Sequence, residues 1–187
     1  FGANGAIVHY SAKKDEATSI TSDNLLLIDS GGNYLCGTTD ITRTFCFGGA
    51  TAQQKRDYTL VLKGHIALAR QAFPTGTYGE QLDILARQFL WNDNLNYGHG
   101  TGHGIGHFLC VHEGPQSIRP QAKGVALLPG MLLSDEPGLY RTNEYGIRIE
   151  NMMCVTPAIS KNKGEFLTFE TLTLFPYETK LIDFSLL

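Results

Sequence analysis

A chain of 187 residues, 42% hydrophobic and 18% charged, is large enough for one domain with a real core. Its formal net charge of −3, with Lys and Arg scattered, excludes an electrostatic case for binding nucleic acid or an anionic membrane surface. No run of ~18 or more apolar residues is present that could span a bilayer.

The first predicted element is a hairpin. Leu25 to Ser30 (LLLIDS) is an apolar, β-rich run, Gly31 to Gly37 carries turn residues, and Thr38 to Phe45 (TTDITRTF) is β-branched with period-two alternation. Folding about Tyr34 and Leu35 sets Asp29 directly opposite Asp40, with Cβ atoms ~5 Å apart on one face. Two helices follow. Thr51-Ala-Gln-Gln54 has the capping-box pattern and opens a helix through Tyr58, Val61, Leu62 and Leu68 that stops at Pro74-Thr-Gly. Thr77-Tyr-Gly-Glu80 opens a second, with Leu82, Leu85, Phe89 and Leu90 on its apolar stripe. His65, on the first helix, reads as a surface or packing residue. The helices are expected to cover one face of a curved antiparallel sheet.

Tyr97 to Pro115 (YGHGTGHGIGHFLCVHEGP) holds four of the six histidines, at 99, 103, 107 and 112, with five glycines before Phe108. Helical spacing would align three of these rings, but each glycine costs a helix ~1 kcal/mol relative to Ala, so the run is expected to be a loop entering a strand. Which imidazole could bind a metal is left open by spacing alone. A second hairpin comes next. Gly130 to Tyr140, the polar turn Arg141 to Gly146, and Ile147 to Val155 fold about Asn143, which sets Glu136 opposite Glu150.

Two mirrored carboxylate pairs are therefore expected, flanked by Leu26, Ile28, Ile147 and Ile149, which would partly bury them. Opposed like charges on a sheet repel, so a cation must compensate. Arg43 and Arg148 are the ordinary candidates. Two divalent ions would neutralise four carboxylates, and oxygen-rich ligation with a single imidazole favours Mn²⁺, with Co²⁺ or Zn²⁺ as alternatives. The four cysteines, 36, 46, 110 and 154, have no metal-ligand spacing and suggest no disulfide framework, so reduced thiols in a cytoplasmic protein are expected.

The stretches GANGAIVHYSA, IDSGGNYLCGTTDITRTF, GHGTGHGIGHFLCVHEGP, LLPGMLLSDEPGLY and YGIRIEN, in that order, resemble the catalytic domain of the aminopeptidase P family, X-prolyl aminopeptidases of the pita-bread metallopeptidase superfamily. The resemblance implies an α+β pita-bread fold over residues 1–187. It implies that Asp29, Asp40, His103, Glu136 and Glu150 ligate two metal ions, usually manganese, and that His9, His99 and His112 hold the substrate. Implied roles place Asp29 on one ion, His103 and Glu136 mainly on the other, and Asp40 and Glu150 between them. The ions would share and activate a water, Glu136 would carry its proton to the leaving proline nitrogen, and His112 would bond the scissile carbonyl oxygen. Arg148 is expected to pair with an acid of the cluster. The implied substrates are peptides with N-terminal Xaa-Pro, and a homodimer is also envisaged.

Cys36 and His107 depart from the family pattern without touching a ligand position. Family members have further N-terminal domains, and their catalytic domain has helices ahead of the position of Phe1. The chain is thus expected to be a fragment whose site draws support from other parts of a longer protein, with apolar sheet surface left exposed or covered from elsewhere. Three other readings are weighed: a prolidase or methionine aminopeptidase of the same fold, a peptide-binding module without hydrolysis, and a metal-free, creatinase-like enzyme.

Overall fold

The computed structural model describes residues 1–121, 124–159 and 165–187. A 3₁₀ turn at Gly2–Ala6 precedes the hairpin of β1 (Leu25–Tyr34) and β2 (Gly37–Cys46). Then come α1 (Ala52–Ala69), β3 (Phe73–Pro74), α2 (Asp83–Trp91), and two short strands, β4 (Gly102–His103) and β5 (Ser117–Ile118), with His103 on the first and His107 and His112 in the loop between them. Four strands close the second carboxylate region, β6 (Leu132–Asp135), β7 (Gly138–Arg141), β8 (Tyr145–Arg148) and β9 (Asn151–Pro157), and β10 (Phe166–Thr171) completes the sheet. Strands β3, β10, β9 and β6 form one antiparallel sheet in that order, and a bridge from Gly104 to Leu133 joins β4 to its β6 edge.

The first hairpin differs from expectation by two residues of register. Asp29 pairs with Thr42 and Asp40 with Gly31, because the chain reverses at the two residues Leu35 and Cys36. The two aspartates are therefore diagonal neighbours, still on one face, since residues two apart on a strand point the same way. The second hairpin has the expected register. Gly138 pairs with Arg148 on the outer side and Asp135 with Asn151 on the inner side, so Glu136 and Glu150 stand opposite each other at the break between two paired stretches.

Helix α1 opens with the predicted capping box: the Thr51 hydroxyl accepts from Gln54 N and the Gln54 side chain accepts from Thr51 N. It ends at Ala69, short of the expected Pro74, because Phe73 and Pro74 pair with β10 instead. α2 does not start at Thr77. The Thr77 hydroxyl is taken by Pro74 O, the Gln81 side chain accepts from Tyr78 N, and a 3₁₀ turn carries the chain to Asp83. Two apolar clusters hold the layers together. One unites Leu25 and Cys46 with Tyr58, Val61 and Leu62 of α1 and with Ile147 and Ile149; the other unites Leu68 and Ala86 with Leu133, Met153 and Val155.

The two helices meet at Gly64, where a Cβ would lie 2.1 Å from Ala86 O. A methyl group there would gain ~1 kcal/mol of helix propensity but force the helices apart, an overpacking cost of ~1–3 kcal/mol. Gly64→Ala is expected to lower the unfolding free energy, and Gly64→Val to lower it further, as read by urea denaturation. On the outer face of β1 and β2, the segment after β10 covers Arg43, which donates to Phe175 O and Pro176 O, and sets Phe175 edge-on to Phe45. Ile28 remains 43% exposed beside it.

Candidate metal centre

The break in the second hairpin follows from its sequence. Pro137 has no N–H to give, and around it both glutamate amides leave the hairpin ladder: Glu136 N donates to Thr101 O and Glu150 N to Thr42 O. Glu150 is thereby pinned to β2 and Glu136 to the residue just before β4. The Thr42 hydroxyl donates to Glu150 Oε2 at 2.7 Å, while Glu150 Oε1 is buried without a partner among the described residues. Ser134 Oγ donates to Glu136 Oε1 and accepts from His103 N, tying the histidine strand to the same edge.

His103 Nδ1 lies 3.0 Å from Gly104 O, which assigns a proton to that nitrogen and aims Nε2 at the acids. Nε2 is 3.2 Å from Glu136 Oε1 and 3.6 Å from Asp40 Oδ2. One ligand atom each from Asp40, His103 and Glu150 lie within 4.8 Å of one another. The structure thus brings three of the five expected ligands into one group and puts Glu136 against its histidine. Asp29 sits at the rim, where Arg148 Nη2 donates to its Oδ2 at 2.6 Å. Arg148 also donates to the Tyr140 hydroxyl and the Thr42 hydroxyl, so it is the expected partner of an acid, held in place by two neighbours.

Protonation follows this arrangement. Burial, with the Asp29 charge next, pushes the Asp40 carboxyl up to about 6. Burial, then the charges of Glu136 and Asp40, raises Glu150 well above the ordinary carboxylate value. Burial would also raise Glu136, but the His103 hydrogen bond and nearby positive charge outweigh it and hold Glu136 low; burial opposes His103 in turn, and its bond to Glu136 outweighs that and raises it. Two raised carboxyls and the unpartnered buried Glu150 oxygen leave the cluster short of positive charge. The donor set of carboxylate oxygens with one imidazole fits hard divalent ions.

Two cavities of about 280 and 330 Å³ flank the cluster and share His9 and His112. The His112 ring is 4.2 Å from that of His103 and 6.4 Å from that of His9, centroid to centroid, so three of the expected histidines stand together. His99 lines the first cavity, but both of its ring nitrogens are already engaged, Nδ1 with Gly100 O and Nε2 with the Tyr140 hydroxyl at 2.7 Å. Because Tyr140 accepts from Arg148, its own hydrogen goes to His99 Nε2, and His99 stands as a neutral wall; burial lowers its pKa in the same sense. His107 is exposed and lines a separate groove with Cys36.

The histidine run is held from behind by a buried pair that no motif announced. Arg87 donates to Asp83 Oδ2, Tyr97 O and His99 O, and Thr101 Oγ1 donates to Asp83 Oδ1. Asp83 and Arg87 are spaced i,i+4 on α2, which was the one available signal. Thr42, Ser134 and Tyr140 gave none, because their roles depend on strands that meet only in three dimensions.

Residues 1–157 match the model of metallopeptidase family M24. The chain is 51% identical over its whole length to Aminopeptidase P1 of Lotus japonicus, covering 29% of that protein, and 50% identical to Xaa-Pro aminopeptidase 2 of Homo sapiens, covering 27% of it. A solved X-prolyl aminopeptidase from Caenorhabditis elegans, described as a cytosolic enzyme with a di-nuclear active site, superposes over 100% of this chain and 31% of its own with TM-score 0.95 and 44% identity. An Xaa-Pro dipeptidase from Bacillus anthracis superposes over 95% of this chain and 46% of its own with TM-score 0.77 and 30% identity. The chain therefore spans less than a third of the length of these three aminopeptidases, and its curled antiparallel sheet with helices is the pita-bread fold. On the match of residues 1–157, it belongs to metallopeptidase family M24.

Proposed function

We propose that residues 1–187 are part of the catalytic domain of an Xaa-Pro aminopeptidase, with Asp29, Asp40, His103, Glu136 and Glu150 holding two divalent ions. The observation that carries this reading is the convergence of Asp40, His103 and Glu150, with Glu136 against His103, in a chain 50% identical to an Xaa-Pro aminopeptidase. Mn²⁺ is the ion favoured by the oxygen-rich donors, with Co²⁺ and Zn²⁺ next. When bound, such ions supply an acidified water and a polarised scissile carbonyl.

The chain's own residues do the rest. Glu136, held ionised by its contact with His103, accepts the proton of the attacking water and passes it to the proline nitrogen as the bond breaks. His112 faces both cavities and donates to the carbonyl oxygen as charge grows there. His9 flanks the substrate, while His99 walls the cavity and keeps Tyr140 and Arg148 in line. Proline in the second position has no N–H, so its subsite needs no acceptor. A cytoplasmic setting is proposed from the cytosolic relative; among the described residues no helix is long and apolar enough to cross a membrane.

Hydrolysis of Xaa-Pro-Xaa tripeptides, Xaa-Pro dipeptides and Met-Ala-Xaa peptides by the Mn²⁺-loaded chain tests the reading. Preference for the tripeptides is expected. Preference for Met-Ala-Xaa, or binding of Xaa-Pro-Xaa with no cleavage, would overturn it.

A further inference from the structure

His65 is fully buried on α1, outside the set of residues that face the cavities. Its Nδ1 is 3.1 Å from the main-chain oxygen of Asp135, toward which the N–H points, and 3.1 Å from Asp135 Oδ2. Its Nε2 is 3.1 Å from Asn151 Nδ2 and 3.1 Å from the Tyr177 hydroxyl. Asp135 immediately precedes Glu136, Asn151 immediately follows Glu150, and the two are paired across the second hairpin. One ring therefore touches both strands next to both glutamates.

The hydrogen-bond directions are fixed by a neighbour. Arg43 Nη2 donates to Asn151 Oδ1 at 2.7 Å, which leaves Asn151 Nδ2 facing the ring. His65 Nε2 must then accept, and its proton sits on Nδ1, aimed at Asp135. The same guanidinium donates through Nη1 to Glu150 O and Thr42 O, so Arg43 clamps the second glutamate's main chain to β2. A buried imidazole satisfied on both sides is rigid, and it restrains the hairpin where the ladder is broken for Glu136 and Glu150.

We infer that His65 is a positioning residue of the metal centre, setting through Asp135 and Asn151 the separation of Glu136 from Glu150, with Arg43 as the fixed point. The inference rests on the metal-centre reading above. Partners behind the ligands typically change metal affinity ~10–100-fold when removed. His65→Phe keeps a planar ring and removes both contacts; it should weaken Mn²⁺ binding to the full chain ~10-fold or more. Leu127→Ala, a buried truncation in the second apolar cluster, is the control for destabilisation alone, and should lower the melting temperature while leaving Mn²⁺ affinity within ~3-fold of the starting chain.

Titration calorimetry with Mn²⁺ alone, alongside far-ultraviolet dichroism, reads the outcome. Unchanged affinity in folded His65→Phe, or equal weakening in Leu127→Ala, would overturn the inference while leaving the metal centre intact. A starting chain that binds no Mn²⁺ would overturn both. Should His65→Phe not fold, His65→Asn and His65→Gln decide. Asn presents an amide N–H near the position of Nδ1 and should retain more affinity than Gln, which presents it near Nε2; equal affinities would sink the proposal.

Discussion

Glu136→Gln is expected to lower kcat for an Xaa-Pro-Xaa tripeptide ~10²–10⁴-fold in the Mn²⁺-loaded chain, the range a positioned proton carrier contributes. Glutamine has the same shape and can still accept from Ser134 Oγ, so the broken hairpin and the bond from Glu136 N to Thr101 O should persist. What disappears is an ionisable oxygen 3.2 Å from His103 Nε2. Burial alone would have pushed that carboxyl toward its protonated form, and the His103 contact is what keeps it ionised. KM should change far less than kcat, because the lost function belongs to the transition state. Glu144→Gln, in the exposed turn of the same hairpin, is the charge-matched control and should leave both constants unchanged. A loss of less than ~10-fold in Glu136→Gln, with metal still bound, would remove Glu136 from the proton path.

How much of this was readable beforehand differs between the hairpins for a physical reason. In the second, the turn signals of Thr142 and Asn143 are compact, and Asn143 takes a left-handed backbone with φ of 64°, so the fold-back point and the pairing of Glu136 with Glu150 could be located. In the first, Gly31, Gly32, Asn33 and Gly37 spread the same signals over seven residues, and the reversal falls at Leu35 and Cys36, which carry none. The resulting slip moved Asp29 from opposite Asp40 to diagonal, yet kept the face, since moving the fold-back point by one residue shifts each partner by two. The gathering of acids and imidazole was thus legible where the braces were not. His65, Arg43 and Asn151 come from three distant stretches and interact only because α1 lies behind the broken hairpin. His99 was read as a substrate-holding residue, and its spacing could not reveal that Tyr140 and Gly100 already occupy both nitrogens.

Mn²⁺ at ~1,000 times its Kd is expected to stabilise the chain by ~4 kcal/mol, a rise in Tm of ~8–16 °C at this size, and to do so more in neutral than in mildly acidic buffer. The pH dependence follows from the cluster. Asp40, raised to about 6, and Glu150, raised further above its usual value, bind protons more tightly in the folded than in the unfolded chain. Their contribution is therefore most favourable below ~4, the unfolded carboxylate value, and is lost as pH rises through about 6. His103, also raised, adds a loss in the same direction at higher pH, since its stabilisation is present below ~6.5 and fades as it deprotonates in the fold. Glu136 runs the other way, its lowered value confining that effect to pH below ~4.5, and so do His99 and His112, whose lowered values favour the fold as pH rises through ~6.5 and offset part of the loss. Metal-free protein should thus melt at falling temperature between mildly acidic and neutral buffer, and Mn²⁺ should reverse the trend by taking the place of the protons. Asp40→Asn removes a repelled charge, so it should raise the metal-free Tm in neutral buffer and abolish most of the Mn²⁺ increment. Melting curves that are flat across this window and indifferent to Mn²⁺ would mean that the acids are not compensated by a cation at all, and the dinuclear reading would fall with them.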